Sequence, residues 1–347
     1  MPGDSASVEK YMAHVPKYEK VKNQILADIR SGVYQAGDRI PTREQLIKQY
    51  SVTRTTVNQA LKELVAVGVL STSKRGGTVV TGKQMPLRVA FVSSFDVNAP
   101  ASAARGDMDS SNVLRPLLAC ASEFRLDFLD ISKISPADLS IIEPYDCTVW
   151  LMPSDQQLEA LVKYSDKVLV INRYHDDLNF IATNHRQAVK EMTLHNIEMA
   201  GESPQIFFIQ HGYRNDFVNR ERREGFVDAC AEANQFYRVI DVKSSDYDSL
   251  LNTLRSVDFE PDRKIVLASP SLFCTGAVLQ MARERGFEFN KDIFYSDFDN
   301  PYSLRNTGVK VVSAIQDYAG MGAELIKSLH NFGKNKIQIF VPYQLVR

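Results

Sequence analysis

Six consecutive residues, Thr53-Arg54-Thr55-Thr56-Val57-Asn58, gather three hydroxyls, a guanidinium and a carboxamide. Val57, Ala60, Leu61 and Leu64 repeat at helical spacing, which turns Arg54 and Asn58, four residues apart, out together on the side away from that apolar stripe. A guanidinium can fork onto the edge of a guanine and a carboxamide onto that of an adenine, while hydroxyls donate to phosphate. Further on, Ser73-Lys74-Arg75-Gly76-Gly77 sets two cations beside two glycines, a composition that lets backbone and positive charge approach a polyanion closely. A second group of polar side chains follows apolar runs: Ser93, Ser94 and Phe95; Asn172 and Arg173; Ser269 and Ser271; Asp297, Asp299 and Asn300; Gln316 and Asp317. Amides, carboxylates and an aromatic face suit a hydroxyl-rich small molecule, because every hydroxyl both donates and accepts. Polar residues at strand ends also serve as helix caps, so each of these positions carries both readings.

The elements that must hold the first group are legible from spacing. Lys17 to Ser31 places Val21, Ile25 and Ile29 on one stripe with Leu26 beside it, and Gly32 can take a left-handed stop. After Ala36-Gly37-Asp38, Thr42 can cap a second helix and Gln45 can answer it as a capping box; this helix buries Leu46 and ends near Tyr50. Ser51-Val52-Thr53 forms a tight turn, and Thr53 caps a third helix that runs to Gly68. Val69-Leu70-Ser71-Thr72 and Thr78-Val79-Val80-Thr81 read as short strands flanking the basic tip, which completes a winged helix-turn-helix.

From Leu87 the pattern changes to apolar runs alternating with amphipathic stretches. The runs are Leu87 to Val92, Cys147 to Met152, Lys167 to Ile171, Gln205 to Ile209, Lys264 to Ala268 and Ile293 to Tyr295. Such alternation indicates parallel sheets of the α/β class, and about 260 residues of it suits two lobes. In such sheets ligands bind beyond the carboxyl ends of the strands, where the second polar group falls.

Charge divides at the same place as pattern. Residues 1–84 hold 13 Lys+Arg against 7 Asp+Glu, a net +6, so the remainder carries −7 within a chain total of −1. A basic module fused to an acidic one suggests a polyanion partner for the basic piece. No apolar run reaches the length needed to span a bilayer, and MPGDSASVEK lacks the form of a signal peptide, so a soluble cytoplasmic protein is expected. Cys120, Cys147, Cys230 and Cys274 are widely separated, which favours free thiols over a disulfide or zinc framework. His175, His185, His195 and His211 are scattered, so neither a metal nor any other cofactor is expected, and Trp150 in an apolar run reads as core.

Residues 16–82 resemble the DNA-binding module of the GntR family of bacterial repressors. The residues carrying the resemblance are Pro16-Lys17-Tyr18, Gly32, Gly37, Ile40-Pro41-Thr42, Val52-Thr53-Arg54-Thr55-Thr56-Val57, Ala60-Leu61, Gly68 and Gly76-Gly77-Thr78. The resemblance implies that Thr53, Arg54, Thr55, Thr56, Gly76 and Gly77 touch an operator, with Lys74 and Arg75 at the wing tip. Two positions depart from the pattern: the family usually has Arg where this chain has Asn58 and an acidic residue where it has Arg43. Base preference should differ accordingly, with Arg43 replacing a lost contact.

Residues 87–347 resemble the sensor domain of the LacI family, built like a periplasmic sugar-binding protein. The matching stretches include Val170-Ile171-Asn172-Arg173, Thr183-Asn184, Arg222-Arg223-Glu224-Gly225-Phe226, Ser296-Asp297-Phe298-Asp299-Asn300, Ile315-Gln316-Asp317-Tyr318 and Val341-Pro342-Tyr343. This resemblance points to Arg222, Asp299, Gln316 and Asn172 as ligand contacts; Phe95 and Ser271 join them as strand-end residues. Where that family commonly has Asn-Asp, this chain reads Ser269-Pro270-Ser271, so a usual acidic contact is missing; the expected effector is a sugar gripped differently or something else, such as a sugar acid or phosphate, with a regulator that binds a non-sugar ligand as an alternative. The minor-groove hinge helix of LacI-type repressors is missing. The pairing is similar to the arabinose-repressor type of chimera.

The expected organisation is a flexible tail at 1–16, a winged helix-turn-helix at 17–82, a linker at 83–86 and a two-lobed effector domain at 87–347. Lobe 1 would span about 87–182 and 314–335, and lobe 2 about 183–313 and 336–347. The expected function is a ligand-responsive regulator, a repressor, that binds double-stranded palindromic operator DNA as a homodimer under control of a sugar-like effector. An enzyme acting on a sugar or sugar phosphate is the alternative of another class. It lacks support, since the chain has no Gly-rich phosphate loop, no GxSxG and no HExxH. A transport-associated binder is opposed by the basic head and the missing export signal.

Overall fold

A computed structural model describes residues 16–73, 77–83, 85–94, 110–210, 216–244, 246–300 and 309–347. Lys74, Arg75, Gly76 and Phe95, all singled out above, lie outside the described residues, as does nearly all of the 1–16 tail.

The head follows its apolar spacing. Helices α1 (Lys17–Arg30), α2 (Arg43–Tyr50) and α3 (Arg54–Ala66) precede a hairpin of β1 (Leu70–Ser73) and β2 (Gly77–Val80). Val21, Ile25 and Leu26 of α1, Leu46 of α2 and Val57, Ala60, Leu61 and Leu64 of α3 bury one another together with Val69, Leu70 and Val80 of the hairpin region. The capping box at α2 forms as its sequence requires: Gln45 N donates to Thr42 Oγ1 (3.3 Å) and Thr42 N to Gln45 Oε1 (2.8 Å). Beside the hairpin lies a piece that spacing did not suggest. Arg39 bridges Val79, and Ile40 N donates to Thr78 O (3.1 Å), so the stretch before α2 pins the wing to the helices.

The head shares a compact unit with residues 87–94, 111–181 and 322–338. That unit holds most of a sheet ordered β13-β7-β6-β5-β3-β4, formed by β3 (Leu87–Ser93), β4 (Phe124–Asp130), β5 (Cys147–Leu151), β6 (Val168–Ile171), β7 (Asn179–Ala182) and β13 (Gln338–Phe340), of which Ala182, Ile339 and Phe340 count with the second unit. Strands β5 and β6 are buried along their whole length, as expected for parallel strands covered on both faces. Trp150 is fully buried, its indole N–H donating to Thr148 Oγ1 (2.9 Å), so it is a core residue. Within this unit α1 is tied to the loop before β5 by Arg30–Asp146 (2.6 Å) and Lys20–Glu143 (2.7 Å).

The second unit holds residues 182–210, 216–300, 309–321 and 339–347 among those described. Its sheet runs β14-β12-β11-β10-β8-β9, with β8 (Gln205–Gln210), β9 (Tyr237–Asp241), β10 (Ile265–Ala268), β11 (Ile293–Phe298), β12 (Val312–Gln316) and β14 (Tyr343–Val346). All described pairings here are parallel except β12 with β14. The expected lobe limits shift as a result. Because Ser296, Asp297 and Phe298 pair with Val312, Ser313 and Ala314, β12 must finish in this sheet before the chain leaves it. The division therefore falls at 321/322, inside α10 (Tyr318–His330), rather than at 314, and residues 336–338 belong with the first unit.

Helices α6 (His185–Ala200) and α7 (Phe217–Glu232) share one face of the second sheet. They approach so closely at Gly225 that a Cβ there would stand 2.1 Å from the backbone oxygen of Arg186. Neither backbone can give way without disturbing the packing of both helices. Gly225→Ala should therefore destabilise the protein by about 3 kcal/mol, a strong overpacking effect, seen as a lowered urea midpoint with an unchanged slope. A midpoint equal to that of the parent would contradict the close approach.

Candidate functional site

In the head, Thr53 caps α3. Its Oγ1 accepts the Thr56 N–H (3.3 Å) and lies 2.9 Å from Thr56 Oγ1, so these two hydroxyls first hold the helix start in shape. Arg54, Thr55 and Asn58 remain exposed. Arg54 is the first residue of α3, whose first turn contains no acidic side chain, and Arg43 is the first residue of α2. A cation at a helix start opposes the macrodipole by about 0.3–1 kcal/mol, so neither arginine is placed for stability. Both guanidinium groups are exposed beside helix starts already capped by Thr42 and Thr53. Arg43 Nε donates to Asn58 Oδ1 (2.9 Å), joining the two positions. Gly77 opens β2 with a φ of 76° and is exposed.

In the second unit, α7 is started by Asp216, whose Oδ1 accepts the N–H groups of Val218 (2.7 Å) and Asn219 (3.3 Å). Two turns on, Arg222 is buried with its guanidinium 3.7 Å from the Phe298 ring centre. Its Nη1 donates to Pro270 O (2.5 Å), and its Nη2 lies 3.5 Å from His185 Nδ1 and 3.8 Å from Asp299 Oδ2. Asp299 follows β11 directly and adopts a left-handed φ of 60°, uncommon for a residue other than glycine. Its carboxylate accepts Gln316 N (3.2 Å) and Gln316 Nε2 (2.5 Å), and that amide also donates to Tyr318 Oη (2.8 Å). Burial pushes the Asp299 pKa up, while Arg222 and the Gln316 bonds oppose the rise. Gln316 Oε1 is buried without a hydrogen-bond partner among the described residues, as is Gln210 Nε2 at the end of β8. A buried acceptor and a buried donor at the carboxyl edge of one sheet match the needs of a polyol.

The structure thus brings together Arg222, Asp299 and Gln316 from three separate stretches of sequence. Ser271 is placed differently: the group that meets Arg222 from its loop is the Pro270 carbonyl, while Ser271 O accepts Ser269 Oγ (3.0 Å). Asn172 belongs to the first unit, at the carboxyl end of β6, buried and also left-handed (φ 58°). Sequence reasoning missed His185, Phe298 and Tyr318 as members of the cluster. Their only signal was adjacency, since each lies within two residues of a position already marked as a strand end or a matching stretch.

Asp297 points to the opposite face of β11. It accepts hydrogen bonds from Thr275 Oγ1 and from Asn300 Nδ2 (2.5 Å), and Thr275 Oγ1 in turn contacts Tyr295 Oη (3.1 Å). Burial lifts its pKa to about 6 against those bonds.

Comparison with known proteins bears on the two parts separately. Residues 17–80 match the family model of bacterial regulatory proteins, gntR family. In its N-terminal part the chain is also 39% identical over 90 residues to a probable fructoselysine utilization operon transcriptional repressor of Escherichia coli K12, covering 26% of this chain and 37% of that one. The chain therefore spans little more than a third of the length of that relative. By fold, the chain is similar to a regulatory protein of the LacI family from Chloroflexus aggregans (TM-score 0.59, 16% identity, 74% of this chain and 96% of that chain). It is likewise similar to the transcriptional regulator CelR in its cellobiose complex (TM-score 0.57, 18% identity, 85% and 89%). The fold is thus a GntR-type winged helix followed by LacI-like α/β lobes.

The Asp297 network sets a pH signature. A carboxyl whose folded pKa is raised from 3.8 to about 6 stabilises the fold below the unfolded value, and that contribution is lost as pH rises through about 6. Asp297→Asn removes the titration. The stability of the parent relative to this variant should fall between pH 4 and pH 7, by the order of a few kcal/mol, in paired chemical denaturation series. A constant difference across that range would rule the network out as the titrating element.

Proposed function

We propose that this chain is a transcriptional repressor that binds operator DNA through its GntR-type head and responds to a small sugar-like effector at the carboxyl ends of its lobe strands. What carries the reading is the face of α3: Arg54, Thr55 and Asn58 are exposed together at a helix start free of acidic residues, inside the segment that matches the gntR family model. Short polar side chains and a guanidinium on one helix face are the groups that read base edges, and the basic wing sequence supplies phosphate contacts.

The sugar-like effector is supported by chemistry and by likeness. Arg222, Asp299 and Gln316 offer fixed donors and acceptors, with one amide oxygen still lacking a donor among the described residues. CelR, similar in fold, is described in complex with cellobiose. A head with one short reading helix gains specificity when two copies face a palindrome, so the working form is a homodimer whose two-fold axis imposes the symmetry of the site. The protein acts in the cytoplasm, where its operator is; none of the described helices is long and apolar enough to cross a membrane.

The test has two stages. Fluorescence anisotropy against operator duplex enriched from genomic fragments should show Arg54→Ala losing about 1–3 kcal/mol of binding with relaxed base preference. A thermal-shift series with mono- and disaccharides identifies the effector, since a ligand of the native state raises the melting point. Against that sugar, Arg222→Ala and the milder Arg222→Lys should keep operator affinity and lose release by the effector. Full release in both variants would remove Arg222 from the effector site, and equal affinity for operator and random duplex would end the repressor reading.

A further inference from the structure

We infer that Arg43 and Asn58 act as one reading unit, in which Asn58 positions the Arg43 guanidinium and the pair selects guanine. The inference rests on the DNA-reading function proposed above and specifies it.

The geometry starts with the bond from Arg43 Nε to Asn58 Oδ1, 2.9 Å long, between the first residue of α2 and the fifth of α3. Fifteen residues separate the two in sequence, and both side chains are exposed on the face that carries Arg54. Among the described residues no carboxylate forms an ion pair with Arg43. Its position at the helix start is electrostatically unfavourable, and the neutral carboxamide is what holds it.

This bond changes what each side chain can read. An asparagine recognises adenine by donating from Nδ2 to N7 while accepting the N6 amino group at Oδ1. Here one lone pair of Oδ1 already accepts a cationic N–H, and the guanidinium beside it adds further donors and no acceptor. An adenine amino group, itself a donor, is then the poorer fit. Guanine presents only acceptors on that edge, O6 and N7, which suit both the remaining Asn58 Nδ2 hydrogens and the two terminal nitrogens of Arg43 that the bond leaves unused. Because the bond runs through Nε, the end of the guanidinium keeps its two-pronged geometry, and the carboxamide restrains a long side chain that would otherwise lose rotamer entropy on binding. Asn58 is accordingly a positioning residue and Arg43 the base-contacting one.

The test is selection from randomised duplexes by the full-length protein, comparing the parent with Arg43→Ala, Asn58→Ala and Asn58→Asp, with far-ultraviolet circular dichroism as a check on the fold. The parent should enrich a half-site containing a G·C pair favoured by about 5- to 150-fold, the range of a good two-pronged contact. Arg43→Ala and Asn58→Ala should both lose preference at that same base pair, to within about twofold of none. Asn58→Asp retains an acceptor for Nε, so it should bind all duplexes more weakly yet restore the preference for guanine. If Asn58→Ala relaxed an A·T position while Arg43→Ala relaxed a different one, or if Asn58→Ala left every position unchanged, the pairing would be overturned with DNA reading intact. If the parent enriched no duplex at all, DNA reading itself would fall and the pair with it.

Discussion

The burial of the Arg222 guanidinium constrains how the second unit is put together. Removing such a cation from water costs several kcal/mol unless charge and hydrogen bonds replace the lost hydration. Replacement comes from the Pro270 carbonyl, the Asp299 carboxylate and the face of Phe298, contributed by the loop after β10, the turn after β11 and β11 itself. Each must arrive in register. Asp299 is held by both nitrogens of Gln316 at the end of β12, so the guanidinium fixes the ends of three neighbouring strands and the helix that carries it. The close contact at Gly225, three residues along α7, is the packing consequence: only a glycine lets α7 lie near enough to α6 for Arg222 and His185 to meet.

The head solves the reverse problem. It keeps Arg43 and Arg54 in water at helix starts, around an apolar wedge. Charges left solvated at positions that oppose the helix dipole do not stabilise those helices, and on the repressor reading that local inconsistency belongs to a surface that meets DNA. Arg222 is thus enclosed by the groups it holds, whereas Arg43 and Arg54 stay solvated.

This contrast governs how much could be read from sequence. Helical spacing gave α1, α2 and α3 nearly to the residue, because Val21, Ile25, Leu46 and Val57 must share one core and little else can satisfy them. The central strands β3, β5, β6, β8, β10 and β11 stood out as apolar runs, being covered on both faces. Edge strands did not. In β4 only Phe124 is fully buried and in β9 only Ile240, so Phe124–Asp130 and Tyr237–Asp241 alternate weakly and resemble loops or exposed helix. At the site, Arg222, Asp299 and Gln316 were legible through resemblance, whereas the Pro270 carbonyl was not, since a backbone atom has no signature in residue type. The crossing at 321/322 was misplaced for a related reason: whether β12 pairs with β11 depends on partners far away in sequence.

On the repressor reading, the link between effector and operator falls to the first unit. Coupling between effector and operator requires two arrangements that differ in free energy with each ligand, and a head free to tumble would transmit neither. Here α1 is tied to the start of β5 by Arg30–Asp146, whose side chains are only 17% and 13% exposed, and Asp146 is itself fixed because its Oδ2 accepts the Arg88 N–H (2.8 Å) at the head of β3. A pair this enclosed is screened less by salt than a surface pair and is more sensitive to geometry. The anchorage lies at the amino ends of the parallel strands, and Asn172 lies at their carboxyl end. The sheet joins the two, and on the repressor reading a displacement of its carboxyl edge is passed through it to α1. On the repressor reading, the effector then has no need to reach the head; it has only to favour one position of the sheet to which the head is fastened.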